Sequence, residues 1–317
     1  LKRICQTHVD FFGELPQIKK YLFQVMVVGD GYGGLEHRSS TSLLVSRKDL
    51  PLIGDSKVSA DYQQFLGLCS HEYFHTWNIK QIKPDVFIPY DLTSETYTRQ
   101  LWAFEGITSY YDELALVRSK VISKNSYLEL LGQTITRVLR GKGRLIQSIA
   151  ESSFEAWTKF YKQDESAPNN IISYYAKGTL IALGLDFTIR NATDNKKSLD
   201  DVMRILWQEY GKKSIGVPEK RIEEIAAEIS GENLQGFFDK YLYNTEDLPL
   251  GDYFKTVGIT LESYIADSVD NTGGVKNKKE FKDLNSVTIG AHVINHPLGA
   301  ELTHVFDNGN AQRAGLS

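Results

Sequence analysis

Two histidines and a glutamate in one short stretch could hold and use a metal ion. His71 and His75 are four residues apart, with Glu72 between them. On an α-helix, positions i and i+4 lie on one face, so both imidazoles can reach one ion while the Glu72 carboxyl points to the same side. Two imidazoles and a carboxylate suit zinc with water as the fourth ligand. We expect one zinc ion with Glu72 as catalytic acid–base; the alternative is a helix with two ordinary surface or core histidines.

Two glutamates downstream could supply the third ligand. Glu105 lies in the otherwise apolar stretch Leu101–Gly106, and an isolated carboxylate is costly to bury unless a cation or a metal meets it. Glu95 has threonine and serine neighbours, where an exposed helix N-terminus accounts for it. The pattern therefore favours Glu105 as the ligand and leaves Glu95 as a hydrogen-bond partner for one of the imidazoles.

These residues need two helices to position them. Apolar residues recur at helical spacing over Ser59–Ile79, which carries the histidines, and a second helix over Thr96–Val117 carries Glu105. Before them we expect an amphipathic helix, Leu1–Gly13, and a small sheet with Gly29–Gly34 as a connection between strands. The other expected elements are the strands Tyr21–Val28, Thr41–Val45, Val287–Ile294 and Ala300–Val305, the helix Ser126–Leu139, several helices within Asn191–Leu248, and a loop over Asn271–Asp283.

The composition excludes several classes of protein. The 317 residues, 41% of them apolar, are enough for one large domain or two. A net charge of −4 gives no electrostatic argument for a nucleic-acid partner. Two cysteines cannot form a disulfide scaffold, and no apolar stretch is long enough to span a membrane. Because the chain starts at Leu1 without a methionine, we expect a fragment. The sequence does not distinguish a bacterial cytoplasmic location from a periplasmic one.

Four stretches of the sequence together resemble a known family. They occur in the order Gly33–His37, His71–Asn78, Leu101–Tyr111 and Tyr174–Gly178. The combination resembles the gluzincin metallopeptidases related to aminopeptidase N, and among them the glycyl aminopeptidases that carry a C-terminal PDZ module. The first stretch departs from the aminopeptidase N signature Gly-x-Met-Glu-Asn by having Leu-Glu-His, which is typical of the glycyl branch.

The resemblance also implies roles for residues outside the metal site. Glu36 would bind the N-terminal ammonium group of a peptide, with Gly33, Gly34 and His37 in the same substrate-binding segment. A carboxylate suits an ammonium group because the hydrogen bond between them is charge-assisted. The segment Tyr174–Gly178 would supply a catalytic phenol. We favour Tyr175, with Tyr174 as the alternative, because adjacent residues on a helix face about 100° apart.

The expected fold class is α+β. Residues 1–262 would form a thermolysin-like catalytic domain, with a small β lobe, a helical body and a helical C-terminal part. Residues 263–317 would form a linker and a partial PDZ-like β segment, for which Ala311–Leu316 resembles a PDZ motif.

The expected function is a zinc aminopeptidase that removes glycine or alanine from peptides with a free N-terminus. The alternatives are a thermolysin-type endopeptidase and a non-catalytic peptide-binding module with a structural metal. We expect no nucleic-acid partner and no membrane span, and a peptide or protein ligand for the PDZ-like tail.

Overall fold

The chain opens with an amphipathic helix that packs under the rest of the molecule. In a computed structural model that describes residues 1–54, 57–266, 271–275 and 288–316, helix α1 spans Lys2–Phe12. It buries Ile4, His8, Phe11 and Phe12 on one side, and ends at Gly13, whose φ of 84° is a left-handed conformation that favours glycine. The sequence prediction of this helix is confirmed.

Three strands follow and form the small sheet. Strands β1 (Leu22–Val28), β2 (Tyr32–Glu36) and β3 (Ser40–Ser46) are arranged in the order β1-β3-β2. β1 pairs with β3 in parallel and β2 pairs with β3 antiparallel, with Gly33 opposite Leu44. The expectation that Gly29–Gly34 is only a connection is wrong, because its last three residues begin β2. Glycine-rich sequence has a low strand propensity, and pairing with β3 overrides it.

The helix that carries His71 and ends at His75 is shorter than its apolar pattern suggests. Helix α2 spans Ala60–Phe74, and the Ser59 hydroxyl caps its N-terminus by accepting from the Tyr62 amide at 3.1 Å. Ile79 has a φ of 121°, and its amide bonds to the Ile82 carbonyl rather than to a helical partner. The chain therefore leaves the helix after Phe74 instead of near Ile79.

The segment that carries Glu105 is helical in two different ways. Residues Trp102–Gly106 form a π-helix that continues directly into the α-helix α3, Ile107–Arg118. Residues 96–100, which the pattern placed in the same helix, are not helical. Single-turn π segments inside helices occur often at functional sites, since they change which side chains share a face.

The rest of the chain is mostly helical and surrounds a core that includes Phe74, Trp77, Tyr111 and Leu185. Helix α4 extends the predicted Ser126–Leu139 by two residues at its start and one at its end. The helices are α4 (Lys124–Arg140), α5 (Ile149–Phe154), α6 (Ala167–Asn170), α7 (Ala176–Ala192), α8 (Leu199–Leu206), α9 (Arg221–Ser230), α10 (Gln235–Tyr241), α11 (Leu250–Lys255) and α12 (Asn310–Arg313).

The C-terminal part contains a β-hairpin. Strands β4 (Ala291–His296) and β5 (Gly299–Val305) pair antiparallel, which places the first strand later than the predicted Val287–Ile294; residue 287 and most of the predicted 271–283 loop lie outside the described residues. The mixture of helices and strands agrees with the α+β class. None of the described helices has the length and apolar character needed to cross a membrane.

Candidate functional site

The three predicted metal ligands lie together in the structure. The Nε2 atoms of His71 and His75 are 3.2 and 3.3 Å from the same oxygen, Oε2 of Glu105. One ligand atom from each residue can be chosen so that all lie within 4.8 Å of one another. His75 is 1% exposed, and the side chains of the other two are largely buried. The structure thus joins Glu105 to the histidine pair.

Both imidazoles are oriented by a hydrogen bond at the other ring nitrogen. Nδ1 of His71 lies 2.9 Å from Oδ2 of Asp112, and Nδ1 of His75 lies 2.7 Å from the Asn78 carbonyl oxygen. These acceptors favour a proton on Nδ1 of each ring, and both Nε2 atoms lie on the side of Glu105.

Asp112 is a candidate functional residue that the sequence did not single out, and Glu95 does not take the place that the sequence allowed for it. Glu95 is exposed and accepts a hydrogen bond from the Tyr97 hydroxyl at 2.7 Å, so its expected role beside an imidazole is wrong. It lies in a loop rather than at a helix start. Asp112 follows Glu105 by seven residues, which is two helical turns on the same face, and this spacing was the available signal.

Asn78 links the two helices that carry the ligands. Its carbonyl orients His75, while its side-chain amide donates to the Ala103 carbonyl at 3.1 Å and to the Thr108 hydroxyl at 3.0 Å. Asn78 is 1% exposed. One buried residue therefore fixes both the second histidine and the π-helical turn that presents Glu105.

The donor set fits a zinc ion. Two imidazole nitrogens and one carboxylate oxygen face a common point, which is the ligand set of zinc sites that keep a position for water or substrate. Burial favours a neutral Glu105 carboxyl, but His75 and His71 outweigh it and lower the pKa of Glu105 to about 2. The carboxylate is therefore ionised, as a ligand must be.

Glu72 lies between the metal ligands and the edge of the sheet. Its side chain is buried, and its Oε2 accepts from the Thr41 hydroxyl at 3.3 Å. A Cβ atom at Gly34 on β2 would collide with Oε1 of Glu72, whereas one at Gly33 would meet nothing within 4 Å. Burial raises the pKa of Glu72 above its ordinary value. The glycine at position 34 allows β2 to pass directly over this carboxyl group.

The other end of β2 carries Glu36 and His37. Oε1 of Glu36 forms an ion pair with Nζ of Lys80 at 2.7 Å. Burial works to raise the pKa of Glu36, but His75 and Lys80 outweigh it and lower that pKa. The His37 side chain is exposed and its Nδ1 lies 3.1 Å from the Leu35 carbonyl oxygen. The sequence reasoning did not single out Lys80.

A close helix crossing brings the two candidate tyrosines near Glu105. A Cβ atom at Gly106 would lie only 2.6 Å from Cα of Gly178, so the glycines let the start of α7 touch the π-helical turn. The Tyr175 ring is 6.3 Å from the His71 ring, measured between centroids, while Tyr174 is 1% exposed. Burial, followed by the charge of Glu105, raises the pKa of Tyr175, so its hydroxyl stays protonated and can donate.

A third tyrosine, which the sequence reasoning also missed, joins the pair. The hydroxyl oxygen of Tyr161 lies 3.2 Å from that of Tyr175 and accepts from the Tyr174 hydroxyl, also at 3.2 Å. Tyr161 follows the π-helix Ala156–Phe160. It holds the two phenols in one hydrogen-bonded group at the side of the metal site.

Comparisons with known proteins agree with this geometry. A search of curated proteins returns no significant match. Among solved structures, the chain is similar to an aminopeptidase N family protein from Idiomarina loihiensis, with 45% sequence identity and a TM-score of 0.92. The similarity covers 99% of this chain and 53% of that protein, so the chain spans about half the length of this relative. The region that holds the candidate metal ligands and the tyrosine pair, residues 64–181, matches the M61 glycyl aminopeptidase family.

Proposed function

We propose that the chain is a zinc-dependent aminopeptidase that removes small N-terminal residues, glycine or alanine, from peptides. The observation that carries the proposal is the convergence of His71, His75 and Glu105 beside the buried Glu72 carboxyl. The match of residues 64–181 to glycyl aminopeptidases supports the preference for small residues.

The metal site would supply the electrophile and the water for hydrolysis. His71, His75 and Glu105 would hold the ion, with Asp112 and Asn78 keeping the two imidazoles in the binding tautomer. Zinc, when bound, supplies Lewis acidity that polarises a peptide carbonyl and lowers the pKa of a water molecule.

Glu72 would act as general base and then as general acid. Its carboxyl group takes a proton from the attacking water and passes it to the leaving amine. The position supports this role, since Glu72 is next to His71 in the chain and its carboxyl group faces β2 at the metal site. The Thr41 hydroxyl, 3.3 Å away, limits the rotation of this carboxyl group.

Tyr175 would stabilise the negative charge that develops on the former carbonyl oxygen. A neutral phenol donates one hydrogen bond to such an oxygen, and pre-oriented donors of this kind contribute strongly to catalysis. The Tyr175 ring lies beside the His71 ring, and the hydroxyl of Tyr161 restrains its own hydroxyl.

Recognition of the free amine would come from β2. Gly33 and Gly34 give the strand a surface without side chains on which a peptide backbone can lie, and Glu36 at its end would accept from the ammonium group. His37 would line the same segment. Lys80 already pairs with Glu36, so a substrate ammonium group would share this carboxylate with the lysine.

We further infer that residues 263–317 are a linker and a partial PDZ-like segment, with residues 1–262 as the thermolysin-like catalytic part. The β4–β5 hairpin and the 2% exposed Ala311 support a folded unit in this tail. A peptide or protein segment would be its ligand.

The deciding experiment compares glycine anilide with leucine anilide and with N-acetylglycine anilide, before and after chelation. We expect rapid hydrolysis of the first, slow hydrolysis of the second and none of the third, with all activity lost on chelation and restored by zinc. Glu72→Gln should lower kcat about 1,000-fold without removing the metal. If Glu36 binds the free amine, Glu36→Ala should raise KM for glycine anilide. Hydrolysis of N-acetylated peptides would instead support an endopeptidase. Metal binding without any hydrolysis would support a non-catalytic module with a structural metal.

A further inference from the structure

A small basic cavity lies next to the ion pair between Glu36 and Lys80. It has a volume of about 200 Å³ and is bounded on one side by the loop Phe87–Tyr90. Three basic side chains line it, those of Arg38, Lys80 and Lys83, and none of the described residues that line it is acidic. Positive charge is thus concentrated in a cavity that touches the segment proposed to bind the substrate amine.

Lys83 is the unusual member of this group. It is 7% exposed, and among the described residues it has no carboxylate within ion-pair distance. Its Nζ donates to the Tyr90 hydroxyl at 3.1 Å and lies 4.8 Å from the centroid of the Tyr90 ring. A buried ammonium group without a counter-charge is costly, and a bound anion would remove that cost.

The backbone holds Lys83 in place. Its carbonyl oxygen accepts from the Val217 amide at 2.8 Å, and the Asp85 amide donates to the Val217 carbonyl at 3.1 Å. These two bonds fix the chain on both sides of Pro84 against a buried residue. The fold therefore places Lys83 at the cavity, and its side chain does not sample the range of rotamers open to a surface lysine.

We propose that this cavity binds a small oxyanion, a carboxylate or a phosphate. Lys83, Lys80 and Arg38 supply the charge, and the Tyr90 hydroxyl, which accepts from Lys83, has its own proton left to donate. The volume is below the 300–1,000 Å³ or so of sites for drug-sized ligands, so it suits a group of a few atoms. Because Lys80 faces both the cavity and Glu36, the anion and the amine-binding carboxylate share one ammonium group.

The oxyanion can come from two sources. One is an acidic side chain in a peptide that begins with glycine or alanine, which rests on the proposed aminopeptidase function. The other is a free anion in solution, which does not depend on that function. Both kinds of oxyanion would accept the same charge-assisted hydrogen bonds. The first experiment therefore measures whether an oxyanion binds, and the second identifies its source.

The first test is calorimetric titration of the zinc-loaded protein with inorganic phosphate and with acetate. We expect saturable binding that weakens as ionic strength rises, and that weakens about tenfold in Lys83→Met and in Arg38→Gln. Lys83→Arg should retain most of it, and Lys124→Met, an exposed lysine outside the cavity, should bind like the wild type. Since Arg38 is exposed, Arg38→Gln keeps the test valid if Lys83→Met does not fold.

The second test compares the release of glycine from glycylglutamate amide and from glycylglutamine amide by the same variants. A selective loss of kcat/KM for glycylglutamate amide in Lys83→Met identifies the substrate side chain as the source. If Lys83→Met loses phosphate binding but keeps the wild-type kcat/KM for both substrates, the source is a free anion. Absence of saturable binding in the wild type, or equal phosphate binding by all variants, overturns the proposal. If neither glycyl substrate is hydrolysed, the proposed aminopeptidase function fails while the titration still decides the anion site.

Discussion

Gly34 lies directly against the carboxyl group of Glu72, so that any side chain at position 34 would occupy the space of Oε1. The adjacent Gly33 faces the other way and would meet nothing within 4 Å. This contact joins the strand proposed to bind substrate to the residue proposed to transfer the proton. It explains why position 34, unlike position 33, needs glycine.

Replacing Gly34 with alanine should therefore displace Glu72. We expect Gly34→Ala to lower kcat by about 10- to 100-fold, because general base catalysis depends on the position of the carboxyl group. Steady-state kinetics measure kcat, and thermal unfolding measures the stability of the variant. Gly33→Ala is the matched control for stability, with a change in the free energy of unfolding of about 0.5 kcal/mol or less. Equal destabilisation by the two substitutions would contradict the contact with Glu72.

The hydrogen bond from His71 to Asp112 should control metal affinity. Asp112→Asn keeps the shape of the side chain but removes the negative charge that orients the imidazole at 2.9 Å. We expect zinc to bind about 10- to 100-fold more weakly, as found when such outer partners are removed. Competition with a chromophoric chelator gives the dissociation constant. Glu95→Gln, at an exposed carboxylate away from the imidazoles, should leave the dissociation constant of zinc unchanged. An unaltered constant for Asp112→Asn would show that the hydrogen bond to Asp112 does not orient His71.

The two adjacent tyrosines can be told apart by removing one hydroxyl at a time. Tyr175→Phe should lower kcat about 100-fold because it deletes the proposed donor to the developing oxyanion. Tyr174→Phe should cost less than about tenfold, since this buried hydroxyl donates to the Tyr161 hydroxyl. Zinc content measured in both variants checks that the metal site is intact. A larger loss for Tyr174→Phe would move the catalytic role to that residue.

His8 should make the stability of the protein depend on pH. Burial, aided by Arg118, lowers the pKa of His8 to about 3, and the ring bonds to the Ser70 hydroxyl at 2.8 Å. Below pH 6.5 the unfolded chain takes up a proton at this position and the folded chain does not, so stability falls as the pH falls toward 3. Between pH 6.5 and 5 this one group should remove about 2 kcal/mol.

The measurement for His8 is urea unfolding of metal-free protein at several pH values. His8→Gln keeps a polar partner for Ser70 and cannot titrate, so its stability should fall less steeply with acid than that of the wild type. Metal-free protein is used so that proton competition at the zinc ligands does not add to the slope. Parallel curves for the two proteins would mean that His8 titrates alike in the folded and unfolded states.

The sequence alone determined the parts of the site that depend on local geometry. His71 and His75 lie four residues apart on what could only be one helical face, and Glu105 was expected at the metal because its apolar neighbours predicted burial. Helix α1 followed from its amphipathic pattern, and strand β1 from a run rich in valine and aromatic residues. In each case the deciding interactions lie within a few residues along the chain.

The tertiary structure decided what depends on contacts between distant segments. Asp112 rather than Glu95 lies at His71 because α2 packs against α3. Strand β2 forms because β3 pairs with its glycines. The contact between Gly106 and Gly178 brings the start of α7, with the tyrosine pair, to the π-helical turn. Propensity and spacing carry no information about such pairings, because each is stabilised by a surface that the other segment supplies. The proposed ligand residues could be predicted from the sequence, and the residues that hold them in place could not.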